Sequence, residues 1–208
     1  MKRTIKNMCF ALMLAALTLV SSIPVCAATD IYTVQPGDSL WKIAVKYKVG
    51  LSEIIGANPQ FDNPNLIYPK DKVIVPLDNP EIKGIEEQVV DLVNKERAKY
   101  GLKPLALDWQ VARVARYKSN DMRDRNYFDH QSPTYGSPFD MLKKFNISYK
   151  TAGENIAKGQ KTAQAVVTAW MNSEGHRKNI LNSAFTEIGV GYSAGNGTTY
   201  WTQLFIKP

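Results

Sequence analysis

The sequence predicts an α+β chain in two parts, a small βααβ module followed by an αβα-layered domain. Three observations carry this. Residues 76–80, Pro-Leu-Asp-Asn-Pro, interrupt every apolar period and divide two blocks. In both blocks apolar residues recur at helical spacing, as in Leu40, Ile43, Ala44 and Tyr47, and again in Val111, Val114, Ala115 and Met122. Near the C-terminus the period becomes two. Ile188, Val190 and Tyr192 alternate with small residues, Gly195-Asn196-Gly197 turns, and Tyr200 to Ile206 returns as the second strand of a hairpin.

The first block spans residues 32–76. Ile31 to Val34 is strand-like, Pro36-Gly37-Asp38 is a turn, and Asp38 or Ser39 caps a helix that Gly50 ends. A second short helix over Ser52 to Ala57, capped by Ser52, stops at Asn58-Pro59, and Val73 to Val75 closes the block as a strand. Its core is expected from Leu40, Ile43, Ala44, Leu51, Ile54, Ile55, Leu66 and Val73. Residues 77–84 read as a linker between two separately folding units.

The second block, residues 85–208, opens with a helix whose face carries Ile85, Val89, Leu92 and Val93 and which Gly101 terminates. Glu86 and Glu87 at its start and Lys95, Arg97 and Lys99 at its end complement the helix dipole. Asp108 caps a second helix. A third near Ser137 to Phe145 carries Phe139, Leu142 and Phe145, and a fourth, capped by Thr162, carries Val166, Val167, Trp170 and Met171 and stops before Gly175.

Ahead of both blocks, Lys2, Arg3 and Lys6 precede the apolar run Met8 to Val20, and small residues surround Ala27 and Ala28. Residues 1–27 therefore read as a signal peptide, too short in its apolar run for a bilayer span. Val25 is too large for lipid processing at Cys26, so no membrane anchor is expected. Cys9 and Cys26 both fall in this segment, and the exported chain would hold no disulfide, which points to a bacterium, Gram-positive by preference. Removing it leaves 23 basic against 19 acidic residues. That mild excess suits a polyanionic wall, and the absence of a dense basic block excludes a nucleic-acid partner.

Tyr32-Thr-Val-Gln-Pro-Gly-Asp-Ser-Leu-Trp41, with Ile43-Ala44, Asn58-Pro59, Leu66-Ile-Tyr-Pro69 and Ile74-Val-Pro76, resembles the LysM family. The resemblance implies a shallow groove for peptidoglycan or another N-acetylglucosamine-containing glycan. By position it would be formed by Gly37, Asp38, Ser39 and Leu40 on one side and Leu66, Ile67, Tyr68 and Pro69 on the other. Lys70 stands where that family usually has glycine, which bears on the turn because glycine adopts positive φ freely.

Phe128-Asp-His-Gln-Ser-Pro133, Gly153-Glu-Asn-Ile-Ala157, Gly175-His-Arg-Lys-Asn-Ile-Leu181 and Tyr200-Trp-Thr-Gln-Leu-Phe205 resemble the CAP superfamily of cysteine-rich secretory, antigen 5 and pathogenesis-related proteins. The two resemblances together are similar to secreted LysM-plus-CAP proteins of endospore-forming Gram-positive bacteria, some linked to spore-coat assembly. His130 and His176 are the chain's two histidines, and each lies in a different motif. By resemblance His130, Glu154 and His176 fill three places of a cleft tetrad that sometimes holds a divalent metal, while Ser173 stands in the fourth. Two imidazoles and a carboxylate are also a ligand set of hydrolytic zinc sites. A role in hydrogen-bonding loops together is the alternative for His130 and Glu154. Ser132 and Ser173 lack any strained-turn nucleophile motif. Trp170 and Trp201 read as core, and Asn155 and Asn179 as ties between loops.

Together these features predict a secreted cell-wall or spore-envelope protein. It would bind glycan through residues 32–76, meet wall or spore-coat proteins, and present a CAP domain of undetermined activity. The rival reading is an extracellular peptidase or wall hydrolase working through His130, Glu154 and His176.

Overall fold

The structure, a computed structural model, describes residues 28–208, so the expected signal segment lies outside the described residues. Among the described residues no helix is long and apolar enough to cross a membrane.

The first module has the expected order: β1 (Thr29–Thr33), α1 (Leu40–Tyr47), α2 (Leu51–Ala57) and β2 (Lys72–Pro76). The two strands pair antiparallel with Ile31 opposite Ile74. Ser39 accepts from Lys42 N and caps α1 as expected. The cap of α2 differs: Gly50 holds that position without a side-chain bond, and Ser52 lies inside the helix. Leu40, Ile43, Ala44, Ile54, Val73 and Val75 form the core, Leu51 packs on it half-buried, and Ile55 and Leu66 are exposed rather than core. Asn58, buried, supplies polar glue: its Nδ2 donates to Ile54 O and Ile74 O at 2.7 Å, and its Oδ1 accepts from Ile74 N at 2.8 Å. Lys70 has φ of 82°, the left-handed conformation that a glycine would adopt without strain.

The expected linker is shorter than residues 77–84. Asn79 caps a helix that starts at Pro80, because proline at the first helical position costs no hydrogen bond. This helix, α3 (Pro80–Lys99), leads into β3 (Ala106–Leu107), α4 (Trp109–Asp124), α5 (Pro138–Lys144), β4 (Thr151–Lys158), α6 (Ala163–Asn172), α7 (Glu174–Ile180), β5 (Glu187–Gly195) and β6 (Thr198–Lys207). The sheet order is β3-β5-β6-β4, with β3 parallel to β5 and the other pairs antiparallel. Asn196 and Gly197, both at positive φ, make the hairpin turn between β5 and β6.

Three layers result. Val111, Val114 and Ala115 of α4 with Met141 and Leu142 of α5 pack on Leu204 and Ile206. On the other face α3, α6 and α7 cover Trp201 and Phe205, with Trp170 fully buried among them. Gly189 and Gly191 of β5 let the backbone of α4 approach closely, since a Cβ at either would overlap the backbone at Val111–Ala112 or Ala115–Arg116. Phe139 is exposed, so α5 turns its Met141–Leu142 side inward instead.

Polar contacts also join the two modules. The guanidinium of Arg113, on α4, donates from Nε to Glu53 Oε1 at 2.6 Å and from Nη2 to Glu53 Oε2 and Ser52 Oγ at 2.7 Å. Tyr117 donates to Glu53 Oε1 at 2.9 Å. One turn along, Arg116 meets Asp78 at 2.6 Å and the buried Glu86 at 3.0 Å. Gly50 makes room for this packing, because a Cβ there would overlap both Glu53 and Arg113.

Candidate functional site

The buried face of α4 carries two charged residues in register with its apolar stripe, Lys118 and Asp121. Asp121 organises the segment that follows the helix. It accepts from Tyr127 and Ser132 at Oδ2 (2.6 and 2.7 Å) and from Thr134 at Oδ1 (2.6 Å), while Arg125 lies 3.1 Å from Oδ1. Burial pushes its carboxyl up, but these hydroxyl bonds win and hold it below the ordinary carboxylate range. Ser132 Oγ also accepts from Thr134 N and Tyr135 N. That hydroxyl is committed to the turn.

Lys118 donates to the backbone carbonyl of His130 at 2.8 Å and to Tyr127 Oη at 3.2 Å. The His130 backbone is thus pinned from below, with its ring left at the surface. His130 Nδ1 lies 2.6 Å from Glu154 Oε1; the histidine side chain is 55% exposed and the glutamate 2%. The hydrogen bond to Glu154 raises the affinity of His130 for its proton against the opposing effect of burial. Burial raises the Glu154 carboxyl, with His130 and Lys118 pulling the other way. At 2.6 Å between Nδ1 and Oε1, the two side chains form a hydrogen-bonded dyad. Glu154 Oε2 is buried and has no hydrogen-bond partner.

Glu154 and Asn155 sit on β4, the strand at one edge of the sheet. Asn155 Nδ2 donates to His176 O at 3.1 Å and to Gln203 Oε1 at 2.9 Å. Asn179 Nδ2 donates to Glu154 O at 3.1 Å and Asn155 Oδ1 at 2.9 Å. These two asparagines tie α7 to the edge strand and deliver His176 to the same margin of the domain from the opposite layer. The His176 ring is half-buried; burial lowers its proton affinity and the charge of His130 adds to that. Ser173 lies between α6 and α7 as the N-cap of α7, without a side-chain cap bond.

His130 and Glu154 are therefore in direct contact, and His176 is tied to the same strand by its backbone. The trio does not form a metal cradle. His130 meets Glu154 through Nδ1, and among the described residues no group of three or more His, Cys, Asp or Glu side chains could hold a metal ion. Among the described residues the expected zinc site therefore lacks a cradle of three side-chain ligands. The sequence reading missed Lys118, Asp121 and Tyr127. The signal for the first two was present, since Lys118 and Asp121 continue the spacing of Val111, Val114 and Ala115 where solvent-facing residues do not belong.

In the first module, Val34 and Lys70–Asp71 exchange backbone bonds and bring the two expected groove loops side by side. Gly37 and Ser39 are exposed, Asp38 is half-buried, and its Oδ2 accepts from Tyr32 Oη and Gln35 N at 2.8 Å. Leu66 is 55% and Tyr68 64% exposed, Ile67 is half-buried and Pro69 exposed. Leu40, only 2% exposed, belongs to the core and offers no side chain to a sugar.

Residues 90–205 match the family described as CAP, the cysteine-rich secretory protein family, and residues 32–76 match the LysM domain. The uncharacterized protein YkwD of Bacillus subtilis is 66% identical over 125 residues, 60% of this chain and 48% of that protein. SpoIVD-associated factor A of the same organism is 47% identical over 53 residues, 26% of this chain and 14% of that one. The crystal structure of an extracellular protein containing a SCP domain from Bacillus anthracis superposes with a TM-score of 0.57 at 41% identity, covering 67% of this chain and 47% of that one. The chain thus spans about half the length of the first and third of these proteins and far less of the second. With the layered sandwich in place and the match extending over more than half of its residues, the chain belongs to the cysteine-rich secretory protein family, CAP, and carries a LysM domain in front of that fold.

Proposed function

We propose that this is a secreted protein of the cell wall or spore envelope that binds peptidoglycan, or another N-acetylglucosamine-containing glycan, through its LysM domain and presents the CAP domain there. One observation carries the reading: Leu66 and Tyr68 stand exposed in the LysM loops beside Gly37 and Ser39, apolar contact next to open backbone. Sugar faces and acetamido groups call for that combination, and soluble domains seldom expose such side chains together without use. A spore setting draws support from the name of SpoIVD-associated factor A, and an extracellular one from the Bacillus anthracis protein. In the test, purified peptidoglycan is sedimented with the wild-type chain and with the double variant Leu66→Ala/Tyr68→Ala. The wild type should pellet and the variant should remain largely in solution; equal pelleting would overturn the reading.

A second reading rests on the 2.6 Å contact of His130 with buried Glu154. A carboxylate that fixes Nδ1 leaves Nε2, at the exposed side of the ring, to act as a general base towards water. A hydrolase screen on peptide and wall substrates, with Glu154→Gln beside the wild type, tests it. Hydrolysis lost in the variant supports it, and hydrolysis retained overturns it.

A further inference from the structure

The junction of the two domains holds a second concave surface, separate from the LysM loops and from the histidine margin. Its volume is about 480 Å³, and it lies where the first turns of α1 and α2 face the start of α4 and the end of α5. Two indoles line it, one from each domain. Trp41 is 49% exposed, although it stands in a small module that needs its apolar residues for its own core, and Trp109 opens α4. Ile55, also exposed, extends the apolar wall. Around this wall stand Gln110 and Asn146, with amide groups, and Lys144, which makes no ion pair among the described residues. Arg113 closes the floor, held in place by Glu53 and Ser52.

We propose that this junction is a second glycan-binding subsite, shaped for a hexosamine bearing a carboxylate substituent. The inference rests on the reading that the LysM loops bind wall glycan. Indole faces take the apolar face of a pyranose ring, side-chain amides satisfy an acetamido group, and a lysine beside them complements a carboxylate. A neutral polymer of N-acetylglucosamine would use the aromatic wall and leave Lys144 idle. A wall glycan strand stripped of its stem peptides, whose alternate sugars then carry a free lactyl carboxylate, uses both. Because the site takes one indole from each domain, it exists only while the Arg113–Glu53 junction is closed. A polymer long enough to reach from the LysM loops to the junction engages two subsites at once, and the second contact forms at the high effective concentration set by the first.

The experiment uses the whole exported chain and isothermal titration with two probes: chitohexaose, which is neutral, and purified peptidoglycan glycan strands of similar length that retain the muramic carboxylate. Three variants are compared with the wild type: Trp109→Ala, Lys144→Glu, and the LysM-loop variant Tyr68→Ala. Lys144 lies on the surface, so its substitution keeps the test valid even if loss of Trp109 disturbs the start of α4. Lys144→Glu should weaken the acidic strands about tenfold, equivalent to about 1.4 kcal/mol, and leave chitohexaose unchanged. Trp109→Ala should weaken both, and Tyr68→Ala should weaken both independently of the junction. If Lys144→Glu and Trp109→Ala bind both probes like the wild type while Tyr68→Ala does not, the junction subsite is overturned and the LysM reading stands. If the wild type binds neither probe, both fall. Binding of the free stem peptide at the junction, competing with no sugar, would also overturn the glycan assignment.

Discussion

Glu154 and His130 bind protons more tightly in the folded chain than their ordinary values of 4.5 and 6.5 would allow, the first through burial and the second through the bond to Glu154. The stabilising contribution of Glu154 is present below about 4.5 and is lost as pH rises through its raised value; that of His130 is present below about 6.5 and is lost above it, through its own raised value. Glu154→Gln should therefore lower the His130 midpoint in an NMR titration and flatten the decline of melting temperature across that window. An unmoved midpoint would show that the 2.6 Å contact is not what holds the proton. Asp121 runs the opposite way. Its depressed value gives stability that is present above its ordinary 3.8 and is lost as pH falls through the folded value. Asp121→Ala strands the hydroxyls of Tyr127, Ser132 and Thr134, and a loss of about 1–3 kcal/mol by urea unfolding is expected. A neutral result would remove Asp121 as the organiser of the His130 loop. At this scale the sequence was legible where a residue type is rare: two histidines in two motifs pointed to one margin, and the adjacent β4 residues Glu154 and Asn155 contact the ring of His130 and the backbone of His176. It was illegible where charge is buried, because Lys118 and Asp121 pass for solvent-facing residues unless the helical register is followed through them.

Besides the two-residue strand β3, two elements escaped the sequence reading for physical reasons. The strand β4 shows no alternation of apolar and polar residues, since Glu154 and Asn155 are both buried and find partners on opposite faces of the sheet. The helix α7 has one buried apolar residue, Ile180, and begins beside a glycine, so it is held by Asn155 and Asn179 more than by a stripe. The long helices and the hairpin were legible because burial on one face enforces their period. Glycines test how closely these elements pack. Gly189→Ala should cost about 1–3 kcal/mol in chemical denaturation, because its Cβ would meet the backbone of Ala112 and the helix cannot yield as a side chain can. Gly175→Ala, with open space around the added carbon, should instead stabilise α7 by about 0.5–1 kcal/mol. If both substitutions gave the same sign, the close approach of α4 to β5 would not be the limiting contact.

At the scale of the whole molecule, the proline-bearing stretch suggested two units that unfold separately, and the contacts across the junction alter that expectation. Glu53 is held by Arg113, Ser52 and Tyr117, and Asp78 by Arg116, so the first module is clamped along one side of α4. Calorimetry should show one merged transition for the wild type and two for the double variant Arg113→Ala/Arg116→Ala; two transitions in the wild type would show the clamp to be too weak to couple the cores. Reductant should change neither curve, since the described residues contain no cysteine. The same helix that carries Arg113 carries Lys118 about one and a half turns later, where it holds the carbonyl of His130, and the two positions lie about 7.5 Å apart along its axis. A domain hung on a flexible tether sweeps a sphere and meets whatever drifts into it. A domain bolted to its anchor through one short strut has a bearing, so under the proposed function a strand gripped at one end would set which way the histidine margin faces and make the region it reaches a fixed address.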